Sequence, residues 1–273
     1  MDLGLEGKVA LVAGASKGMG RATVLRLAQE GARVAYCARS GSALEEIQRE
    51  VQSLGGQGLP FECDLAERSA ARRFVGAAVE RFGGADIMVF APSIHLNREF
   101  MDLTDDQWEE TFNITFHAGV RMARAVIPHM RARRWGRIVL IGAGSIHKQT
   151  VGPGIAHVDV HPDFTTAKAA LTNLGKFLSK NFGPDQIFVN TLHPVFVFPP
   201  ERRAEFLARA REVGPTEQEG FMKLVAGYGV TPALMRLGTS EGFANLVAFL
   251  CSEANEYITG IEAAVDGGAL DVG

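Results

Sequence analysis

The chain has 273 residues, of which 47% are hydrophobic and 22% charged, with a formal net charge of −3. This balance belongs to a globular chain long enough to bury a large core, and it excludes disordered, collagen-like and coiled-coil organisation. The weak charge leaves no nucleic-acid footprint, no apolar run reaches the roughly 20 residues that cross a bilayer, and the N-terminus lacks a signal-peptide core. A cytoplasmic protein with neither a nucleic-acid nor a membrane partner is therefore expected.

In chain order, Lys8–Ala13 is a short apolar run of the kind buried on both faces of a sheet. Gly18–Glu30 has helical periodicity through Met19, Val24, Leu25 and Leu27, with Gly31 as a helix-ending glycine. Arg33–Ala38 reads as a second strand and Leu44–Leu54 as an amphipathic helix. Further strands are expected at Gly58–Glu62, Ile87–Ala91, Arg137–Ile141, Ile187–Leu192 and Glu262–Val265, and helices at Glu67–Phe82, Asp105–Met130, Pro162–Asn181 and Ser240–Cys251. This alternation predicts an α/β architecture in a single domain over 1–273: one doubly wound, Rossmann-like parallel sheet of about seven strands, covered on both faces. The basic run Arg131, Arg133, Arg134 and Arg137 reads as a solvated helix end. Cys37, Cys63 and Cys251, odd in number and scattered through apolar segments, read as reduced core thiols.

Residues 193–238 interrupt the alternation with two helix-like pieces between Pro and Gly punctuation, carrying Phe196, Phe198, Phe206 and Phe221. The insertion follows the sixth strand. It forms either a small helical lid over the carboxyl edge of the sheet, where such folds bind ligands, or a helical pair that covers core or a subunit contact. The phenylalanines point to an apolar small-molecule substrate.

The chemistry-bearing signal comes first in the chain. Gly14, Gly18 and Gly20, within Gly14-Ala15-Ser16-Lys17-Gly18-Met19-Gly20, lie between the first strand and the first helix. Glycines there let the backbone approach a pyrophosphate, and the helix N-terminus offers free N–H groups and a positive dipole end. At the end of the second strand, where an acidic residue would bind the ribose diol of NAD, the chain reads Ala38-Arg39-Ser40. Arg39, seconded by Lys17, instead suits a 2′-phosphate, so NADP(H) is the expected cofactor. Asp64 either accepts from the adenine amino group or caps the next helix.

These pieces, with Cys63-Asp64-Leu65, Asn113, Gly136-Arg137-Ile138-Val139, Lys168-Ala169-Ala170, Val189-Asn190, Pro194, Ile258-Thr259-Gly260 and Val265-Asp266-Gly267-Gly268, resemble the short-chain dehydrogenase/reductase family, of the type that includes 3-oxoacyl-carrier-protein reductases. The resemblance covers almost the whole chain. It implies oxidoreductase chemistry on NADP(H), a homodimer or homotetramer, and cofactor contacts from Gly14, Ser16, Lys17, Gly18, Met19, Gly20, Arg39, Asp64, Leu65, Ala91, Lys168 and Pro194.

It also implies a catalytic group of Asn, Ser, Tyr and Lys. Asn113 and Lys168 match. The tyrosine position, four residues before Lys168, holds Phe164, and a phenyl ring has no proton to give. The serine position holds Ala143, with Ser145 two residues later. Pro92 also departs from the family's usual Asn-Asn-Ala-Gly. The segment between Ala143 and Phe164 supplies His157, Asp159 and His161. His161 or His157 is the first candidate for the missing acid. The alternation His157-x-Asp159-x-His161 would also suit a metal, but a sure fourth ligand is lacking and no metal is expected. Two functions follow: an NADPH-dependent oxidoreductase acting on a carbonyl, enone or imine, or a non-redox descendant (isomerase, dehydratase or cyclase) or NADPH-binding protein.

Overall fold

The structure is a computed structural model, and it describes residues 2–94, 99–147 and 162–271. The elements run β1 (Val9–Ala13), α1 (Gly18–Gln29), β2 (Arg33–Ala38), α2 (Gly41–Ser53), β3 (Gln57–Glu62), α3 (Ala70–Phe82), β4 (Ile87–Phe90), α4 (Asp105–Phe112), α5 (Ala118–Arg133), β5 (Gly136–Ile141) and α6 (Pro162–Phe182). They continue with β6 (Ile187–Pro194), β7 (Val197–Phe198), α7 (Pro200–Val213), α8 (Glu217–Ala226), β8 (Gly238–Thr239), α9 (Ser240–Leu250) and β9 (Glu262–Val265).

Seven strands form one parallel sheet in the order β3-β2-β1-β4-β5-β6-β9. The period-two alternation of β1 divides its side chains between two cores. Val9, Leu11 and Ala13 face the layer of α3, α5 and α6, and Ala10 and Val12 face the layer of α1, α2 and α9. The strand order reverses between β1 and β4, so the carboxyl ends of those strands open a crevice.

The expected helix over Asp105–Met130 is interrupted. Asn113–His117 is a π-turn, in which the Ala118 N–H bonds the Asn113 carbonyl. The widened turn is braced from outside: the Arg121 guanidinium donates to the Asn113 carbonyl at 3.1 Å and to its Oδ1 at 2.9 Å. α2 begins earlier than its apolar pattern, because Ser40 Oγ accepts from the Ala43 N–H.

Arg137 corrects the reading of a solvated basic helix end. It is 5% exposed within β5. Its guanidinium lies 4.5 Å from the Trp135 ring and 4.1 Å from the Phe188 ring, and donates to the Ser252 and Asn255 carbonyls. Burial lowers its pKa to about 10. Arg131 and Arg133 remain nearer the surface, paired with Asp185 and Asp86.

The inserted segment has a core of its own. Phe196, Ala210, Phe221, Val225 and Leu237 are buried together, with Phe198, Phe206 and Tyr228 packed on them. Ring centroids lie 5.3 Å apart for Phe196–Tyr228 and 5.8 Å for Phe198–Phe206. The phenylalanines thus pack largely on one another, and their number alone gives no measure of how apolar a bound substrate must be. α7 and α8 touch backbone to backbone: a Cβ on Gly220 would collide with the Ala210 carbonyl. No rotamer change relieves such a collision. Gly220→Ala is therefore expected to separate the two helices while the sheet stays folded. Limited proteolysis should then cut within 213–217 much faster than in the parent, and equal cutting rates would contradict this packing.

Candidate active site

The glycine loop hangs from β2. The Gly14 and Ala15 N–H groups both donate to the Cys37 carbonyl at 3.0 Å. Gly14 has φ +79°, and a Cβ on Gly20 would strike the Gly14 carbonyl, so the loop packs on the first turn of α1 only with glycine at both places. Lys17, the N-cap of α1, offers that turn no side-chain bond, and the turn holds no acidic residue. Its N–H groups therefore face outward as an anion site with a favourable helix dipole. A Cβ on Gly18 would meet nothing within 4 Å, which leaves room for a phosphate. This cradle fits a dinucleotide.

Around it, Arg39 and Lys17 are exposed, and neither has an ion pair among the described residues. Asp64 accepts the Ala66 N–H at Oδ1, 2.9 Å away, and the N-cap position of the next helix is Ser69, so Asp64 does not cap α3. Leu65 offers its carbonyl to Arg121 at 2.9 Å. Ala91, just past β4, donates its N–H to the Ala13 carbonyl at 3.1 Å, and Pro194 ends β6.

Lys168 is 2% exposed on α6 and its Nζ donates to the Ile141 carbonyl at 2.6 Å. Burial pushes its pKa down to about 7. The Phe164 ring, one turn earlier, has its centroid 5.8 Å from that Nζ. Ser145, in the turn after β5, meets Thr165 of α6, with the two hydroxyl oxygens 3.1 Å apart. The Asn113 side chain is committed elsewhere. Its Nδ2 donates to the Ala66 carbonyl at 3.0 Å and its Oδ1 accepts from Arg121. His157, Asp159 and His161 lie outside the described residues.

One cluster had no forecast in the sequence. His193 is wholly buried, and its Nδ1 accepts the Ala143 N–H at 3.2 Å. The neutral ring therefore carries its proton on Nε2, which has no hydrogen-bond partner among the described residues. His147 packs edge-to-face on it, with centroids 4.8 Å apart. His147, His193 and Glu262 bring possible ligand atoms within 4.8 Å of one another. A metal there would need the lone pair that His193 Nε2 lacks while Nδ1 holds Ala143, so the cluster does not fit an ion in this arrangement. The signal in the sequence was His193 itself, an ionisable residue near the end of a strand that is largely buried.

The matched residues are those of a known family. Residues 14–269 fit the family model described as enoyl-(acyl carrier protein) reductase. The chain is 32% identical over 268 residues to human dehydrogenase/reductase SDR family member 4, covering 97% of this chain and 88% of that protein. It belongs to the short-chain dehydrogenase/reductase family. It is 29% identical to the 3-oxoacyl-[acyl-carrier-protein] reductase of Pseudomonas aeruginosa, over 97% of this chain and 98% of that one. Among solved structures, the L-sorbose reductase of Gluconobacter frateurii, complexed with NADPH and L-sorbose, superposes over 100% of both chains with a TM-score of 0.87 at 29% identity. A 3-oxoacyl-(acyl-carrier-protein) reductase from Agrobacterium tumefaciens with NADP bound gives a TM-score of 0.83 at 29% identity, over 98% of this chain and 96% of that one. The coarse activity follows: an NAD(P)-dependent oxidoreductase of this family, with no helix among the described residues long and apolar enough to cross a membrane.

The buried His193 makes stability depend on pH. Burial, then the charges of His147 and Lys168, lower its pKa to about 4. The unfolded chain binds the proton more readily between about pH 6.5 and 4, so stability present at neutral pH is lost as pH falls through that window. The loss from this group is up to roughly 3 kcal/mol. In urea unfolding at several pH values, the parent should lose stability relative to His193→Asn over this window. A difference between the two proteins that does not change with pH would contradict the assignment.

Proposed function

We propose that the protein is an NADPH-dependent reductase of a small carbonyl, enone or imine compound, with an altered catalytic group. The observation that carries this reading is the Ser145–Thr165 pair. The hydroxyls absent at Ala143 and Phe164 recur two residues and one residue later, on the same two elements, within hydrogen-bond distance of each other. Thr165 lies three residues before Lys168, hence on the same face of α6.

In this reading the glycine loop, Ser16 and the first turn of α1 hold the pyrophosphate. Arg39 and Lys17 hold the 2′-phosphate, Asp64 and Leu65 flank the adenine, and Ala91 and Pro194 flank the nicotinamide half. The bound cofactor supplies the hydride. Lys168 holds the nicotinamide ribose and gives no proton to the substrate. Ser145, supported by Thr165, donates a hydrogen bond to the substrate oxygen or nitrogen, the service the family takes from a serine where this chain has Ala143. Asn113 keeps the π-turn in place. The proton comes from His161 or His157, with solvent as the remaining source. The inserted helices α7 and α8 cover the substrate. NADPH is favoured over NADH by the exposed cations Arg39 and Lys17, and two similar solved proteins bound NADPH or NADP.

Two measurements test the reading. Arg39→Ala should weaken NADPH binding by about 1–3 kcal/mol with little effect on NADH, and equal affinities of the parent for both nucleotides would refute the preference. With a carbonyl, enone and imine panel, Ser145→Ala should lower kcat about 10²-fold while NADPH affinity holds. A histidine acid adds a rate that falls as pH rises through roughly 6.5. Tight NADPH binding without turnover of any panel compound would instead favour the non-redox descendant, for which Phe164 at the end of the Lys168 chain is the supporting observation.

A further inference from the structure

Cys37 and Cys63 enter one core beneath the adenosine end of the cradle. Cys37 stands opposite Phe61 in the β2–β3 ladder, and Cys63 follows two residues on, its N–H bonded to the Ala38 carbonyl at 3.0 Å. Both side chains enter the same core, where Cys37 is fully buried and Cys63 is 8% exposed. The two thiols influence each other's titration, the Cys37 thiol shifted up and the Cys63 thiol down. The Cys37 carbonyl is also the acceptor from which Gly14 and Ala15 hang. Cys251 lies in the opposite core layer and is fully buried.

We propose that Cys63 and Cys37 form a peroxide-reactive thiol pair whose closure to a disulfide loosens cofactor binding. Cys63 is the more exposed of the two, and neighbouring Cys37 and then the positive charge of Arg73 favour its thiolate, while burial holds the Cys37 thiol well above its usual range. Cys63 is thus the attacking sulfur. Its thiolate breaks the O–O bond of hydrogen peroxide, hydroxide leaves, and Cys63 becomes a sulfenic acid. The Cys37 sulfur, losing its proton, then attacks Cys63 and displaces water. Two thiols are oxidised by two electrons in all, and one peroxide becomes two waters.

The register makes the product strained. Residues offset by two across neighbouring parallel strands stand about 8 Å apart at Cα in a regular sheet, beyond the roughly 4.4–6.8 Å a disulfide spans. Closure therefore has to pull the end of β2 toward the segment after β3. That moves the Cys37 carbonyl and with it the glycine loop. A strained disulfide of this kind is readily reduced, so the change is reversible.

The proposal rests on the cofactor reading for its consequence, and on the thiols alone for its chemistry. The full chain is treated with hydrogen peroxide, with and without NADPH. The expected result is a mass lower by two hydrogens, a fall from three labelled thiols to one, and a peptide map joining Cys37 to Cys63. NADPH affinity should fall at least tenfold, recover with dithiothreitol, and stay unchanged in peroxide-treated Cys37→Ser. Cys37→Ser should stop at one added oxygen on Cys63, and bound NADPH should slow the reaction. Three thiols persisting, or oxidation confined to Cys251, would overturn the pair. A disulfide that leaves NADPH affinity intact would overturn the switch. A parent that binds neither NADPH nor NADH would overturn the cofactor reading, and the thiol map would still judge the pair. The parent's own map decides even where a serine variant does not fold.

Discussion

The structure depends on one constraint: the first turn of α1 must come close to β1 and β4 while leaving its N–H groups free. Glycine at positions 14 and 20 permits the approach, since any larger residue at 20 meets the Gly14 carbonyl. The Cys37 carbonyl then fixes the loop from the side. Lys17 leaves the turn uncapped, so its unsatisfied donors have to find their partner in a ligand. The sheet reverses its winding at this place, so the donors, the Lys168 ammonium and the ends of β5 and β6 border the same crevice.

The two sides of that crevice are built differently. The side of the glycine loop presents backbone donors and two exposed cations. On the other side two ionisable groups are buried, with Lys168 held by the Ile141 carbonyl and lowered to about 7, and His193 held by the Ala143 N–H and lowered to about 4. Both groups are pushed toward their neutral forms by burial, and a ligand bearing negative charge would restore the Lys168 cation. The Ser145–Thr165 hydroxyl pair is part-buried, so fewer solvent dipoles compete for it than for a hydroxyl in open water.

Much of the fold was legible in the sequence because its strands are buried on both faces. Continuous apolar runs such as Val9–Ala13 and Ile87–Phe90 can satisfy no half-exposed alternative. The glycine loop was legible for a related reason, since three glycines at a strand–helix junction serve close backbone approach. The features missed depend on neighbours that only the folded chain brings together. The π-turn at Asn113 needs Arg121 and Ala66 to brace it. Arg137 is a buried cation only because Trp135 and Phe188 sandwich it. Cys37 and Cys63 are scattered in the chain, but the pairing of β2 with β3 makes them neighbours. The phenylalanines of the inserted segment carried composition without direction, and their packing on one another emerged only with α7 and α8 in place.

Hydride transfer from NADPH to a bound carbonyl-type compound is the chemistry proposed for this crevice. It is tested most directly with NADPH carrying deuterium at nicotinamide carbon 4, in two preparations labelled on opposite faces, each mixed with the protein and the substrate panel. A reduced product is expected to gain one deuterium from one preparation and none from the other. Tight binding of both preparations, with no product labelled by either, would contradict it.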